Sequence, residues 1–155
     1  MKTIELGHIR LEIDVESTKK FYASQNGFVC DCPDCTNYVN NISHVEKSLE
    51  GLDKEIGFDL NKDVGQGMDE LMPHDYDDSH LDVVPYYVIG KCYTDNKELD
   101  RQQSGPIWPN TKRAEKKLTD ELSMTIINTS GEVEIGDAEN VLTIWLEYRI
   151  KMKKK

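Results

Sequence analysis

The sequence predicts an α+β domain, an antiparallel sheet with two helices in its N-terminal half joined by a loop of cysteines. Three observations carry this expectation. Apolar residues recur at helical spacing in the first third of the chain, they alternate with period two in the second half, and short turn signals separate the alternating runs. At 155 residues, with no linker and no internal repeat, the chain fits a single domain over 1–150 followed by a basic tail over 151–155.

Ile9, Leu11, Ile13 and Val15 alternate with His8, Arg10, Glu12 and Asp14, the pattern of a half-buried strand. Ile4 and Leu6 ahead of Gly7-His8 predict an opening hairpin. Ser17 is placed to cap a short helix through about Gln25, with Phe21 and Tyr22 inward and Gly27 as its stop. Tyr38, Ile42, Val45 and Leu49 share one face of a second helix over 37–49, which Gly51 ends. Residues 57–82 read as polar loop with one short strand. A buried strand is expected over 83–93, with Pro85 marking an edge or a start. Residues 94–116 contain Gly105-Pro106 and Trp108-Pro109 and read as a long surface connection. Leu122, Met124 and Ile126 alternate, Thr129-Ser130-Gly131 turns, and Val133 and Ile135 alternate again. Leu142, Ile144, Leu146, Tyr148 and Ile150 then line one face of a final strand. The aromatics Tyr86, Tyr87, Trp108, Trp145 and Tyr148 are expected as core and edge packing.

The net charge is -10 and it is unevenly placed. Residues 30–82 carry fourteen acids against only Lys47, Lys54 and Lys62, while the rest of the chain is nearly balanced. Such a field repels phosphate backbones, so nucleic-acid binding is disfavoured, whereas a basic protein partner or a cation is attracted. No apolar run approaches the roughly 20 residues of a membrane span. Charge and glycine interrupt the N-terminus too early for a secretory signal. The expectation is a cytoplasmic protein that is neither membrane-bound nor a disulfide-rich scaffold.

Cys30-Asp31-Cys32-Pro33-Asp34-Cys35 places three of the four cysteines within six residues. A disulfide is disfavoured in a reducing cytosol, and three thiols leave one unpaired. Zinc is the reading with the clearest chemistry, because a tetrahedral site takes soft thiolates at about 2.3 Å. Cys30, Cys32 and Cys35 would supply three ligands, with Cys92, or else His8 or His44, as the fourth. The domain would then be non-catalytic, with zinc as a structural staple. Thiol redox chemistry through Cys32 and Cys35 is the first alternative. Against it, a helix rather than a strand precedes the motif, and Asp31 and Asp34 oppose thiolate formation. The second alternative is an acidic partner-binding protein of the inhibitor or immunity type, using residues 30–82.

Two further constellations are weaker. Asp59, Asn61, Asp63 and Glu70 fall at calcium-loop positions, but Val64 stands where the loop needs glycine. His74, His80 and the carboxylates of Asp75, Asp77, Asp78 and Asp82 read as a polar loop tip rather than a metal site.

The opening Ile4-Glu5-Leu6-Gly7, then Phe21-Tyr22, then Cys30-x-Cys32-x-x-Cys35-x-Asn37-Tyr38 resembles an uncharacterised family of small bacterial proteins. In that family a cysteine run also sits between an N-terminal strand-helix unit and a second helix. The likeness extends through Ile56-Gly57-Phe58-Asp59-Leu60, Tyr86-Tyr87-Val88-Ile89-Gly90 and Trp145-Leu146-Glu147-Tyr148. It implies a bacterial cytosolic origin and, as the family has no assigned activity, no catalytic residues.

Overall fold

Alternation at the N-terminus folds into an antiparallel hairpin. β1 (Lys2–Leu6) pairs with β2 (Ile9–Ile13) across the turn at Gly7-His8, from Lys2 opposite Ile13 to Leu6 opposite Ile9. The computed structural model describes residues 1–28, 33–62, 74–76, 79–102 and 112–151. Among the described residues three helices follow the hairpin: α1 (Val15–Ala23), α2 (Pro33–Leu49) and α3 (Leu52–Ile56). The remaining strands are β3 (His74–Tyr76), β4 (Ser79–Thr94), β5 (Lys97–Glu98), β6 (Ala114–Lys117), β7 (Leu122–Asn128) and β8 (Val141–Lys151). All pairings between these strands are antiparallel, in the order β1-β2-β4-β8-β7-β6, with β3 and β5 added to β4. The architecture is α+β.

β4 is the spine. Its first eleven residues pair with β8, from Ser79 opposite Lys151 to Ile89 opposite Val141, and its last five pair with β2. Cross-strand rows then follow from the register. Val84, Leu146 and Met124 stand side by side, as do Tyr86, Ile144 and Ile126, and all six are buried. α2 covers this face with Tyr38, Ile42, Val45 and Leu49, the stripe that the helical spacing predicts. Phe58, just beyond α3, stacks on Tyr86 with ring centroids 5.1 Å apart.

Between β3 and β2, one edge of β4 has no strand paired to it among the described residues, and α1 bonds the backbone there. The Asp14 amide donates to the Ile89 carbonyl (2.9 Å), the Ile89 amide donates to Thr18 Oγ1 (3.1 Å), and the Tyr22 hydroxyl donates to the Tyr87 carbonyl (2.8 Å). Buried polar backbone needs such partners. Pro85 shares this edge: backbone direction alternates along a strand, so its missing N–H falls on the side that no described strand pairs.

Several boundaries differ from the expectation. α1 is capped by Asp14, not Ser17: Ser17 lies inside the first turn, its amide donating to Asp14 Oδ1 (3.1 Å) and its hydroxyl to Oδ2 (2.8 Å). α2 begins four residues earlier than expected because Pro33, with no N–H to lose, is suited to the first turn. Helix α3 goes unforeseen, since five residues are too few to show a period. The 74–82 stretch, expected as a loop tip, is the β3–β4 hairpin. β5 and β6 replace parts of the expected 94–116 connection. Val133 and Ile135 make no strand; Val133 forms only an isolated bridge with Ser130. β8 runs on to Lys151, the first residue of the expected tail.

The Asp14 cap yields a first prediction. Its bonds from the Ser17 amide and hydroxyl hold the Asp14 carboxyl below its ordinary value of 3.8. Asp14→Ala is expected to cost about 0.5–2 kcal/mol near neutral pH. A carboxyl whose pKa is lower when folded contributes fully above its unfolded pKa and loses that contribution as pH falls through the folded one. Thermal melts of the two proteins should therefore converge under acid conditions. A gap that persists there would contradict the cap.

Candidate functional site

Two places carry chemistry, and the first is the head of α2. Cys30 and Cys32 lie outside the described residues. Cys35 belongs to the first turn of α2, inside the helix and not in a free loop. One turn on, Tyr38 fixes this end of the helix to the sheet. Its hydroxyl meets that of Tyr86, which donates to the Leu60 carbonyl (2.8 Å). The Tyr38 ring also packs edge-on against Phe28, with centroids 5.8 Å apart. The chain entering α2 is thus held beside the core on both sides of the cysteine run.

The other expected ligands stand elsewhere. Cys92 is opposite Leu11 in the sheet, buried, and six residues along β4 from Tyr86, a run of about 20 Å. Burial pushes its thiol up to about 12, so it behaves as a small apolar core residue. His44 is nine positions beyond Cys35, about 13 Å along the helix and half a turn round it. There it meets Glu121 (Nε2 to Oε2, 3.3 Å) and the Tyr148 ring. His8 is exposed at the β1–β2 turn. Among the described residues, no group of three His, Cys, Asp or Glu side chains is arranged to hold a metal.

The calcium-like run lies outside the described residues from Asp63 to Glu70. Asp59, its first expected ligand, accepts the Asn61 amide (2.9 Å) and so closes a local turn. The side chains of His74 and His80 are likewise outside the description, though their backbones pair across the β3–β4 hairpin, His80 opposite Asp75.

The second place is a cleft of about 580 Å³ between α1, the end of α2, α3 and residues 57–62. Gly57 makes it possible by bringing α3 against α1. Its φ is +102°, and a Cβ there would lie 3.0 Å from the Val15 carbonyl oxygen, so only glycine fits. Three carboxylates (Glu46, Asp53, Asp59) and three lysines (Lys19, Lys54, Lys62) line the cleft. Lys54 is paired with Glu46 (3.3 Å), and Lys62 donates to the Gln25 carbonyl (3.1 Å). Lys19 has no ion-pair partner among the described residues. Asp53 is 95% buried, and its Oδ1 is buried without a hydrogen-bond partner among the described residues. Burial raises its carboxyl above the ordinary value, as does the nearby Glu46, while its own amide, that of Lys54 and the Lys54 ammonium pull the other way.

Sequence reading misses this cleft, because its residues are spread over α1, α2, α3 and the turn after it. The one local signal is Gly57 between Ile56 and Phe58, a glycine where the helix stops. No helix among the described residues is long and apolar enough to cross a membrane. Comparison with protein-family models, curated proteins and solved structures finds no match for the chain.

Proposed function

We propose that the chain is a non-catalytic binding domain in which Cys30, Cys32 and Cys35 hold a zinc ion at the head of α2. The observation that carries this reading is the placement of Cys35 in the first turn of a helix anchored by Tyr38. Cys32 and Cys35 then straddle the start of the helix, a spacing that suits two thiolates on one metal. Backbone amides at a helix start favour the thiolate form, and a cation offsets the repulsion from Asp31 and Asp34. Cys92, His8 and His44 are the expected candidates for the fourth position, and none of them is assigned to it among the described residues. The ion would tie the segment between α1 and α2 to the sheet.

The test is stability with and without metal. Cys32→Ser is expected to lower the melting temperature markedly, and a strong chelator should lower that of the wild type to a similar level, because metal binding energy is folding energy. Identical melting curves for wild type, variant and chelated protein would overturn the proposal. A metal-free protein with one thiol reactive below about pH 7 would favour the redox reading through Cys32 and Cys35.

The excess of acids over 30–82 favours a second reading, an acidic face that docks a basic protein, in a cytoplasmic bacterial setting. Screening should release such a partner as salt rises.

A further inference from the structure

Helix α3, which plays no part in the zinc proposal, cannot hold itself. Its five residues fall far short of the roughly 12–15 that make an isolated helix even marginal in water, so it persists only because it is docked. Left-handed glycines bound it, Gly51 (φ +89°) before and Gly57 (φ +102°) after. A Cβ at Gly51 would meet nothing within 4 Å, so glycine is needed there for its backbone conformation and not for close packing. That makes the entry to α3 a pivot. Of the three buried side chains of α3, two favour docking and one opposes it. Leu52 and Ile56 bury apolar surface in the core. Asp53 loses its water, and its Oδ1 gains no hydrogen bond among the described residues.

We propose that α3 is a pH-sensitive latch: with Asp53 neutral it seats against α1 and α2, and ionisation of this buried carboxyl loosens it. A neutral carboxyl bears burial without a partner at far lower cost than a carboxylate. The surrounding charges are mixed: Lys19 on α1, Glu46 on α2, Lys54 on α3, and Asp59 and Lys62 after it. Lys54 is drawn to Glu46, and Lys62 to the Gln25 carbonyl. Burial raises the docked carboxyl above its ordinary value of 3.8 and Glu46 adds to this, while the amides of Asp53 and Lys54 and the Lys54 ammonium oppose it without cancelling it. A carboxyl whose pKa is higher when docked contributes fully below its undocked pKa and loses that contribution as pH rises through the docked one. The latch therefore tightens in acid and loosens toward neutral pH, the opposite sign to the Asp14 cap. What moves is a wall of the cleft, since Asp53, Lys54 and Gly57 line it.

The test is amide hydrogen exchange by NMR on the full chain from about pH 3.5 to about pH 7, each rate taken relative to its intrinsic value. The reporters are the Glu55 amide, bonded to the Gly51 carbonyl (3.0 Å), and the Gly57 amide, bonded to the Asp53 carbonyl (2.8 Å). Their protection is expected to fall by at least about threefold as pH rises, while that of Ile144 and Leu146 in β8 does not fall with it. The Asp53 carboxyl carbon should titrate above 3.8, and Asp53→Asn should abolish the pH dependence at both reporters. Because the carbon titration is read on the wild type, a variant that fails to fold leaves the test intact. The proposal is overturned if protection at the reporters stays constant, or if Ile144 and Leu146 lose theirs in parallel. It is equally overturned if Asp53 titrates at or below 3.8, or if Asp53→Asn keeps the fall.

Discussion

Gly90→Ala is expected to destabilise the protein by about 3–5 kcal/mol, a large share of the roughly 5–15 kcal/mol that holds a domain folded. Gly90 is where β4 leaves β8 and takes up β2: Ile89 is its last residue opposite β8, and Gly90 itself stands opposite Ile13. A Cβ at Gly90 would overlap the Glu12 carbonyl oxygen and lie 3.0 Å from Ile13 Cα. These are backbone atoms, so no side-chain rotation relieves the clash, and β2 must move away. Because α1 starts two residues after Ile13, its bonds along the edge of β4 would shift too. Chemical denaturation should show the midpoint falling sharply. A change below about 1 kcal/mol would mean that the hand-over between the two strands is looser than described.

Tyr86→Phe is the second large effect, with an expected cost of about 2–4 kcal/mol. The ring would still pack against Phe58, so the loss isolates the hydroxyl. Removing it strips the Leu60 carbonyl of its donor and takes one of its contacts from Tyr38, both deep in the core. Orphaning buried polar atoms costs more than the net worth of the bond that joined them. Since this chain of hydroxyls fixes the head of α2 to the segment after α3, hydrogen exchange in α2 should also accelerate near Tyr38. Unchanged stability and exchange would show that water or another group replaces the hydroxyl.

These two residues show what a sequence discloses. Period-two alternation locates β2, β7 and β8, because each has a face buried in the core, and a continuous apolar run locates β4, buried on both faces over 83–88. The apolar stripe from Tyr38 to Leu49 locates α2 for the same reason. Pro85 marks the unpaired edge, since the lack of an N–H is itself a constraint on position. By contrast, β5, β6 and α3 are too short for a period to register, and the 74–82 hairpin is polar enough to read as loop. That Thr18 and Tyr22 would bond β4 depends on long-range docking that no local pattern encodes. The same limit hides the cleft, which joins Lys19 on α1 to Asp53 on α3 only after folding. The cysteine run stands out by spacing alone, whereas the burial of Cys92 depends on pairing with β2, which no local pattern encodes.

Elemental analysis of protein purified without chelator decides whether three thiolates share a cation at the start of α2. About one zinc per chain is expected, falling to zero in the Cys32→Ser and Cys35→Ser variants, while Cys92→Ala keeps its metal. A wild-type chain that carries no zinc, even after refolding in its presence, would contradict it.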